Sequence, residues 1–454
     1  MTCLDRAIER VRCCEPLGIR GTVTSLRGLT LLVDDLPVLV GSLVRVNASG
    51  GRLVGEVVGF DQRRAIVMLL GQTAGVRPGD RVELLRPTST VRAGDGLLGR
   101  VVNALGEPID AGPPVREGVE QPLSPDPVGA MRRRRITAAL QTGVRAIDLF
   151  TPVGRGQRMG VFAGPGVGKS TLMGMVARRT AADVNVIGLI GERGREVKDF
   201  IDHALGEEGL RRSVVVVATG DESPLMRIRA AMASCAIAEH FRDRGLDVML
   251  MLDSVTRFAH AQRQVGLAVG EPPATKGYTP SVFSMLPLLL ERAGAIEPST
   301  PGARAGSITG FYTILVEGDD MTEPIADAAR GILDGHIVLS RRLAHRGHFP
   351  AIDSLDSVSR LAGEVSSPEH RAARQSLVSL LAAYRDAEDL IQIGAYAPGS
   401  NPLTDAAIAF KPRIDALLQQ RIEESQAFED ARAKMLSLAQ EAGAAAPGEK
   451  PRKR

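Results

Sequence analysis

Tryptophan is absent from this 454-residue chain, and Phe and Tyr bring the aromatic share to only 3%. Its cores must therefore be built from Leu, Val, Ile, Ala and Met, and few rings are left for stacking on nucleic-acid bases. Cysteine is as scarce. Its four copies, two of them adjacent at Cys13 and Cys14, give no disulfide framework and no metal-ligand spacing. Cys235 falls on an apolar helical stripe and reads as a core residue. No uninterrupted apolar run is long enough to span a bilayer, and the N-terminal stretch lacks a signal-peptide pattern. The expectation is a cytoplasmic protein, or one that meets a membrane only through partners. Net charge is +3, too balanced for whole-surface nucleic-acid binding, and no nucleic-acid partner is expected.

What the chain does have is a glycine-rich loop in the right surroundings. Ala163-Gly164-Pro165-Gly166-Val167-Gly168-Lys169-Ser170-Thr171 follows an apolar run and precedes a helical pattern, the context of a phosphate-binding loop. Glycines let successive backbone N–H groups face one anion, and the helix beginning near Lys169 adds its positive dipole end. Lys169 is placed to reach the β- and γ-phosphates of a nucleoside triphosphate. Ser170 supplies a hydroxyl for Mg²⁺, a role for which Thr171 sits one place too late. The strict pattern wants glycine where Ala163 stands. A dinucleotide fingerprint fits poorly, because Gly164-x-Gly166 is followed by Lys169 where that motif needs glycine.

The rest of the chain divides around this loop. Its length suggests two to four domains. Leu4, Ile8 and Val11 lie at helical spacing among charges and predict an amphipathic N-terminal helix. That helix packs on its own domain or docks on a partner or membrane surface. From about Gly21 to Arg86, short runs at Leu29 to Val33, Leu43 to Val46, Leu53 to Val58 and Ala65 to Leu69 predict a small β-barrel. Arg132 to Arg135 read as a solvated face or an interface. Beyond the loop, strands alternate with helices, the pattern of a largely parallel sheet covered on both faces. Val184 to Ile190, Val214 to Ala218 and Val248 to Leu252 are the buried strands, and Ser223-Pro224 opens a helix that Gly245 ends. Past Val365 the pattern is helical, from Ser376 to Ile393 and again from Pro412 to Ala442. The expected domains are 1–20 for the N-terminal helix, 21–90 for the barrel, 91–365 for the nucleotide core, 366–442 for a helical domain and 443–454 for a disordered basic tail.

Three further residues carry the chemistry expected of such a core. Asp253 ends a buried strand, where a carboxylate is costly unless something needs it, and suits the Mg²⁺ shell. Glu192, just past another strand in Gly191-Glu192-Arg193-Gly194-Arg195-Glu196, is placed to orient the attacking water. Glu196 competes with it, but is better read as a surface charge paired with Arg193 or Arg195. Arg360 is the candidate for a guanidinium that meets the charge developing in phosphoryl transfer.

Taken together, Gly96 to Val102, Phe162 to Thr171, Gly191 to Val197, Leu252-Asp253-Ser254-Val255-Thr256-Arg257 and Pro350 to Ser359 resemble the hexameric rotary ATP synthase superfamily, over roughly Gly21 to Tyr384. Pro272 to Phe283 and Met285 to Gly294 resemble its flagellar and type III secretion export ATPases. The Ala163 variant of the loop is compatible with that branch. The resemblance implies an α/β fold, with a RecA-like P-loop nucleotide core, an N-terminal β-barrel and a C-terminal helical domain. It implies Mg²⁺-dependent ATP hydrolysis by a homohexamer at the cytoplasmic face of an inner-membrane export apparatus. Its partners would be regulator and stalk proteins, exported proteins and their chaperones, with peripheral membrane association left open. It carries Arg360 into the role of a finger reaching the neighbouring subunit's ATP, and Phe349 into that of an aromatic packed on adenine. An injectisome ATPase, a rotary synthase catalytic subunit, an RNA-translocating ring and a nucleotide-holding scaffold are the competing readings. The carboxylate Glu192 speaks against the scaffold.

Overall fold

A computed structural model describes residues 18–71, 74–298, 302, 304–316, 318 and 320–445. The predicted N-terminal helix, with Leu4, Ile8 and Val11, lies outside the described residues. Six strands, β1 (Arg20–Arg27), β2 (Thr30–Asp34), β3 (Leu43–Ala48), β4 (Gly51–Asp61), β5 (Arg64–Leu69) and β6 (Arg81–Arg86), close into a barrel in the order β1-β2-β5-β4-β3-β6. Inward residues such as Val23, Leu31, Val33, Val44, Val57, Val67 and Val82 fill it, each nearly inaccessible. Closure leaves no free strand edge.

The central domain is a nine-stranded sheet. Its main path runs through β7 (Arg100–Asn103), β8 (Arg158–Ala163), β9 (Val184–Glu192), β10 (Ser213–Thr219), β11 (Asp247–Asp253), β12 (Ser307–Leu315), β13 (Gly335–Leu339) and β14 (Val358–Ser359), in the spatial order β14-β13-β8-β12-β11-β9-β10-β7. All neighbours pair in parallel except the edge strand β14. Every residue of β9 is buried, because both faces of the sheet are covered. Val184, Val186 and Ile190 point into a core shared with helices α2 (Pro224–Asp243) and α3 (Val255–Ala268). Ile187 and Leu189 point into the opposite core, against α1 (Lys169–Arg179) and the C-terminal helices. Ser223 caps α2 by accepting from the Met226 N–H, and its hydroxyl donates to Leu70 O at the end of the barrel. The arginine run is partly structural: Arg133 donates to the carbonyls of Glu291 and Ala293, and Arg135 pairs with Glu364.

The C-terminal domain holds α4 (Pro368–Gln392), α5 (Pro402–Leu418) and α6 (Phe428–Ala445). Two expectations are corrected here. The helix expected from Pro412 to Ala442 is two helices, with Pro412 inside the first and an irregular loop between Leu418 and Phe428. Tertiary bonds break it: the Gln420 N–H donates to Phe349 O and its side chain bonds Gly143 O and the Arg145 N–H. The tail expected to be disordered from Gly443 is still helical at Ala445, where alanine-rich sequence prolongs a helix anchored by the buried Ala442. The residues after Ala445 lie outside those described.

One buried carboxyl on the core gives a test of pH dependence. Asp148 Oδ1 accepts from the Thr142 N–H and hydroxyl and its Oδ2 from the Gly143 N–H. Burial nevertheless outweighs these bonds and pushes the carboxyl up to about 6. A group whose folded value is raised contributes stability that is complete below its unfolded value and lost as pH rises through the folded one. The stability of the wild type relative to Asp148→Asn is therefore expected to fall between about pH 4 and 6, by on the order of 3 kcal/mol. Urea unfolding of both proteins at each pH measures it, and a flat difference would refute the assignment.

Candidate active site

The phosphate-binding loop leaves the sheet at the carboxyl end of β8. Ala163 is still in the ladder, paired with Leu315 on one side and Leu339 on the other. Extended backbone accepts alanine, which explains why the first glycine of the motif is dispensable here. The later glycines are not interchangeable. Gly166 and Gly168 have φ of 78° and 93°, where any Cβ is strained. Gly164 and Val167 are buried, Pro165 and Gly166 are exposed, and Gly168 is the N-cap of α1. Lys169 and Ser170 are thus the first two residues of the helix, with Ser170 exposed and Thr171 facing a large cavity.

Two strand ends bring carboxylates to Lys169. Asp253, the last residue of β11, is 3% exposed. Its Oδ1 accepts from the Thr313 hydroxyl at 2.7 Å and from Lys169 Nζ. Glu192 ends β9, where the register with β10 shifts at Gly191, a bulge with left-handed backbone at φ 71°. Glu192 Oε1 lies 3.3 Å from Lys169 Nζ, and its Oε2 accepts from Arg257 at 3.1 Å. Arg257 also donates to Gly191 O at 2.7 Å. A side chain on Gly191 would meet the Arg257 Cδ at 2.9 Å, so glycine lets the guanidinium lie against the bulge.

Electrostatics follow from crowding these charges out of water. Burial pushes the Glu192 carboxyl up, opposed by Lys169 and reinforced by Asp253. Burial works to lower the Lys169 ammonium, but Asp253 and Glu192 together hold it above its ordinary range. Glu196 pairs with Arg193 at 3.0 Å on the surface, as expected, and a hydrogen bond with Glu192 holds its own carboxyl low. Nothing in the local sequence marks Arg257, which closes the Leu252 to Arg257 motif, as the partner of Glu192.

The remaining predicted residues lie apart from this cluster. Phe349 is half exposed on the rim of a cavity of about 900 Å³. Val167, Gly168, Thr171, Leu172 and Met175 form one wall, and Gln419 to Glu424 of the irregular loop form the other. This second wall was invisible in a pattern read as continuous helix. Arg360 is exposed and follows β14, which pairs with Gly335 and His336 at the amino end of β13. The phosphate-binding loop leaves beside Leu339 at the other end, roughly 13 Å of strand away at about 3.3 Å per residue. Arg360 therefore does not join Lys169, Glu192 and Asp253 within one chain.

Family models match three segments: the ATP synthase alpha/beta family beta-barrel domain at residues 20–86, its nucleotide-binding domain at 143–359, and the T3SS EscN ATPase C-terminal domain at 366–437. The flagellum-specific ATP synthase of Pseudomonas aeruginosa is 49% identical, over 92% of this chain and 93% of its own length. That of Bacillus subtilis is also 49% identical, over 92% and 94%. The chain belongs to the flagellar and type III secretion export ATPases of the ATP synthase alpha/beta family. The type 3 secretion system ATPase of Xanthomonas euvesicatoria is 46% identical over 94% of this chain and 96% of its own. The assembled ATPase EscN of the enteropathogenic E. coli type III secretion system superposes with a TM-score of 0.86 at 39% identity, covering 92% of this chain and all of that one. The expected α/β fold with barrel, RecA-like core and helical domain is that of this family, and the likeness extends past Tyr384 through the helical domain.

Proposed function

We propose that this export ATPase hydrolyses ATP to ADP and phosphate to energise export of flagellar proteins, and that it does so as a homohexamer. The observation that carries the reading is the meeting of Lys169 with Glu192 and Asp253 in front of a phosphate-binding loop. Backbone N–H groups of the loop Gly164 to Thr171, apart from Pro165, which has none, cradle the phosphates, and Lys169 turns from its two carboxylates to the β- and γ-oxygens. Glu192, held by Arg257, orients the water and accepts its proton. Phe349 packs on adenine, and Arg360 reaches the ATP of the adjacent subunit. Ser170 and Asp253 would hold a Mg²⁺ beside the phosphates, since one hydroxyl and one carboxylate suffice for an ion that does not need an all-protein cage. When bound, the ion neutralises charge on the β- and γ-phosphates.

Support for the assembly comes from relatives: EscN has been solved assembled, and also in complex with its central stalk EscO. By the same reading a stalk and a regulator, exported proteins and their chaperones are the partners, at the cytoplasmic face of the inner membrane. Among the described residues no helix is long and apolar enough to cross a membrane. The injectisome is the second reading, favoured by the 46% identity to a type 3 secretion system ATPase. The match of residues 366–437 to the EscN type of C-terminal domain favours either over a rotary synthase subunit.

Lys169→Ala tests the phosphate site. ATP affinity is expected to fall by about 10- to 10²-fold, since a charged hydrogen-bond donor to the phosphates is lost. Titration with a fluorescent ATP analogue reads it, and unchanged affinity would remove Lys169 from the site. Export itself is tested by complementation of a flagellar ATPase deletion and, separately, of an injectisome ATPase deletion. Restored secretion of hook and filament proteins supports the flagellar reading, and restored effector secretion alone would favour the injectisome.

A further inference from the structure

The loop from Gln419 to Ala427 has no regular secondary structure, yet it forms one wall of the 900 Å³ cavity. Something other than its own backbone ladder must hold it. Most of that work falls to one residue of the nucleotide core. The Arg145 N–H donates to Gln420 Oε1 at 2.9 Å, and its guanidinium donates to Gln426 Oε1 at 2.8 Å, to Glu424 and to Gln419 O. The Arg145 side chain is 10% exposed, so these bonds form where water competes little. Gln420 completes the link by donating to Gly143 O at 2.9 Å and, through its backbone, to Phe349 O at 3.0 Å. The two faces of the cavity are therefore fixed to each other through the segment Gly143 to Arg145. Burial works to raise Glu424, but the bonds it accepts from Arg145 and the Arg421 N–H hold it low and charged.

We propose that Arg145 is a positioning residue for base recognition, fixing the Gln419–Gln426 loop so that its polar groups meet the purine edge at a set distance. The inference rests on the reading that the cavity takes the base of ATP. Gln419, Arg421 and Glu423 are exposed on this wall, and a bound base would cover them; a wall of fixed donors and acceptors separates a 6-amino from a 6-oxo purine because the wrong base covers polar groups without pairing them, whereas a mobile wall adapts to both. The phosphate-binding residues sit on the other side of the cavity, at the opposite end of α1 from Arg178 and Arg179, which donate to Ile422 O of this loop.

The test compares ATP, GTP and inorganic tripolyphosphate, which carries no base, as competitors against a fluorescent ATP analogue on the full chain. Arg145→Ala is expected to weaken ATP about tenfold and to bring ATP and GTP close to equal, while tripolyphosphate binds as before. In turnover the KM for ATP rises by a similar factor and kcat falls far less. Arg145→Lys, which keeps the charge but lacks the planar fork that reaches Gln419 O, Glu424 and Gln426 at once, is expected to fall between the wild type and Arg145→Ala. Should Arg145→Ala fail to fold, Glu424→Gln removes one arm of the clamp from the loop side and is expected to narrow the ATP preference in the same direction. Equal weakening of ATP and tripolyphosphate would show a general loss of structure and overturn the proposal, as would an unchanged ATP preference. If the wild type binds none of the three competitors, it is the nucleotide reading that fails.

Discussion

Glu192→Gln is expected to lower the rate of ATP hydrolysis by about 10²–10⁴-fold, the span general-base catalysis supplies, while ATP binding survives. Glutamine matches glutamate in size and keeps one oxygen that can accept from Arg257 or Lys169. It cannot take a proton from water. Binding depends instead on Lys169 and the loop backbone, so the variant should hold ATP without turning it over. Phosphate release and analogue binding measured on the same sample separate the two, and equal loss of both would refute this division of labour. Burial also gives the wild type a pH signature. Because the Glu192 carboxyl is pushed up, its proton-accepting form is depleted at low pH, and hydrolysis is expected to rise with pH through that raised value.

Arg360→Ala is expected to cost as much or more, about 10³–10⁵-fold where an arginine finger has been dissected, and at every protein concentration. Its place beyond β14, at the far end of the strands from Lys169, means that the variant's own phosphate site is untouched. A mixture distinguishes action between subunits from action within one. Arg360→Ala subunits still carry Glu192, and Glu192→Gln subunits still carry Arg360. In a randomly mixed ring of equal parts about a quarter of the interfaces would join an intact glutamate to an intact arginine. The mixture is therefore expected to hydrolyse ATP although neither variant does alone. No recovery in rings shown to be mixed would place Arg360 elsewhere in the mechanism.

What could be read from the sequence was whatever is decided locally. The loop from Gly164 to Lys169, the cap at Ser223 and the buried strands ending in Glu192 and Asp253 depend on neighbours a few positions away. The break after Leu418 does not. Gln419 to Ala427 carry no glycine or proline, and the helix stops because Gln420 is bonded to Gly143, Arg145 and Phe349. That bonding is long-range, so the second wall of the cavity stayed hidden. Arg257 was hidden for a similar reason: its contact with Glu192 needs α3 packed beside the end of β9. Arg360 was named through family resemblance, and only the strand pairing shows that it stands away from its own Lys169.

An arginine supplied by the neighbouring subunit would make activity depend on assembly. Specific ATPase activity with Mg²⁺, measured against the concentration of the wild-type protein, tests it most directly. Activity per subunit is expected to rise with concentration and to saturate as rings form. A flat, appreciable rate at dilutions where sedimentation shows only monomers would contradict it.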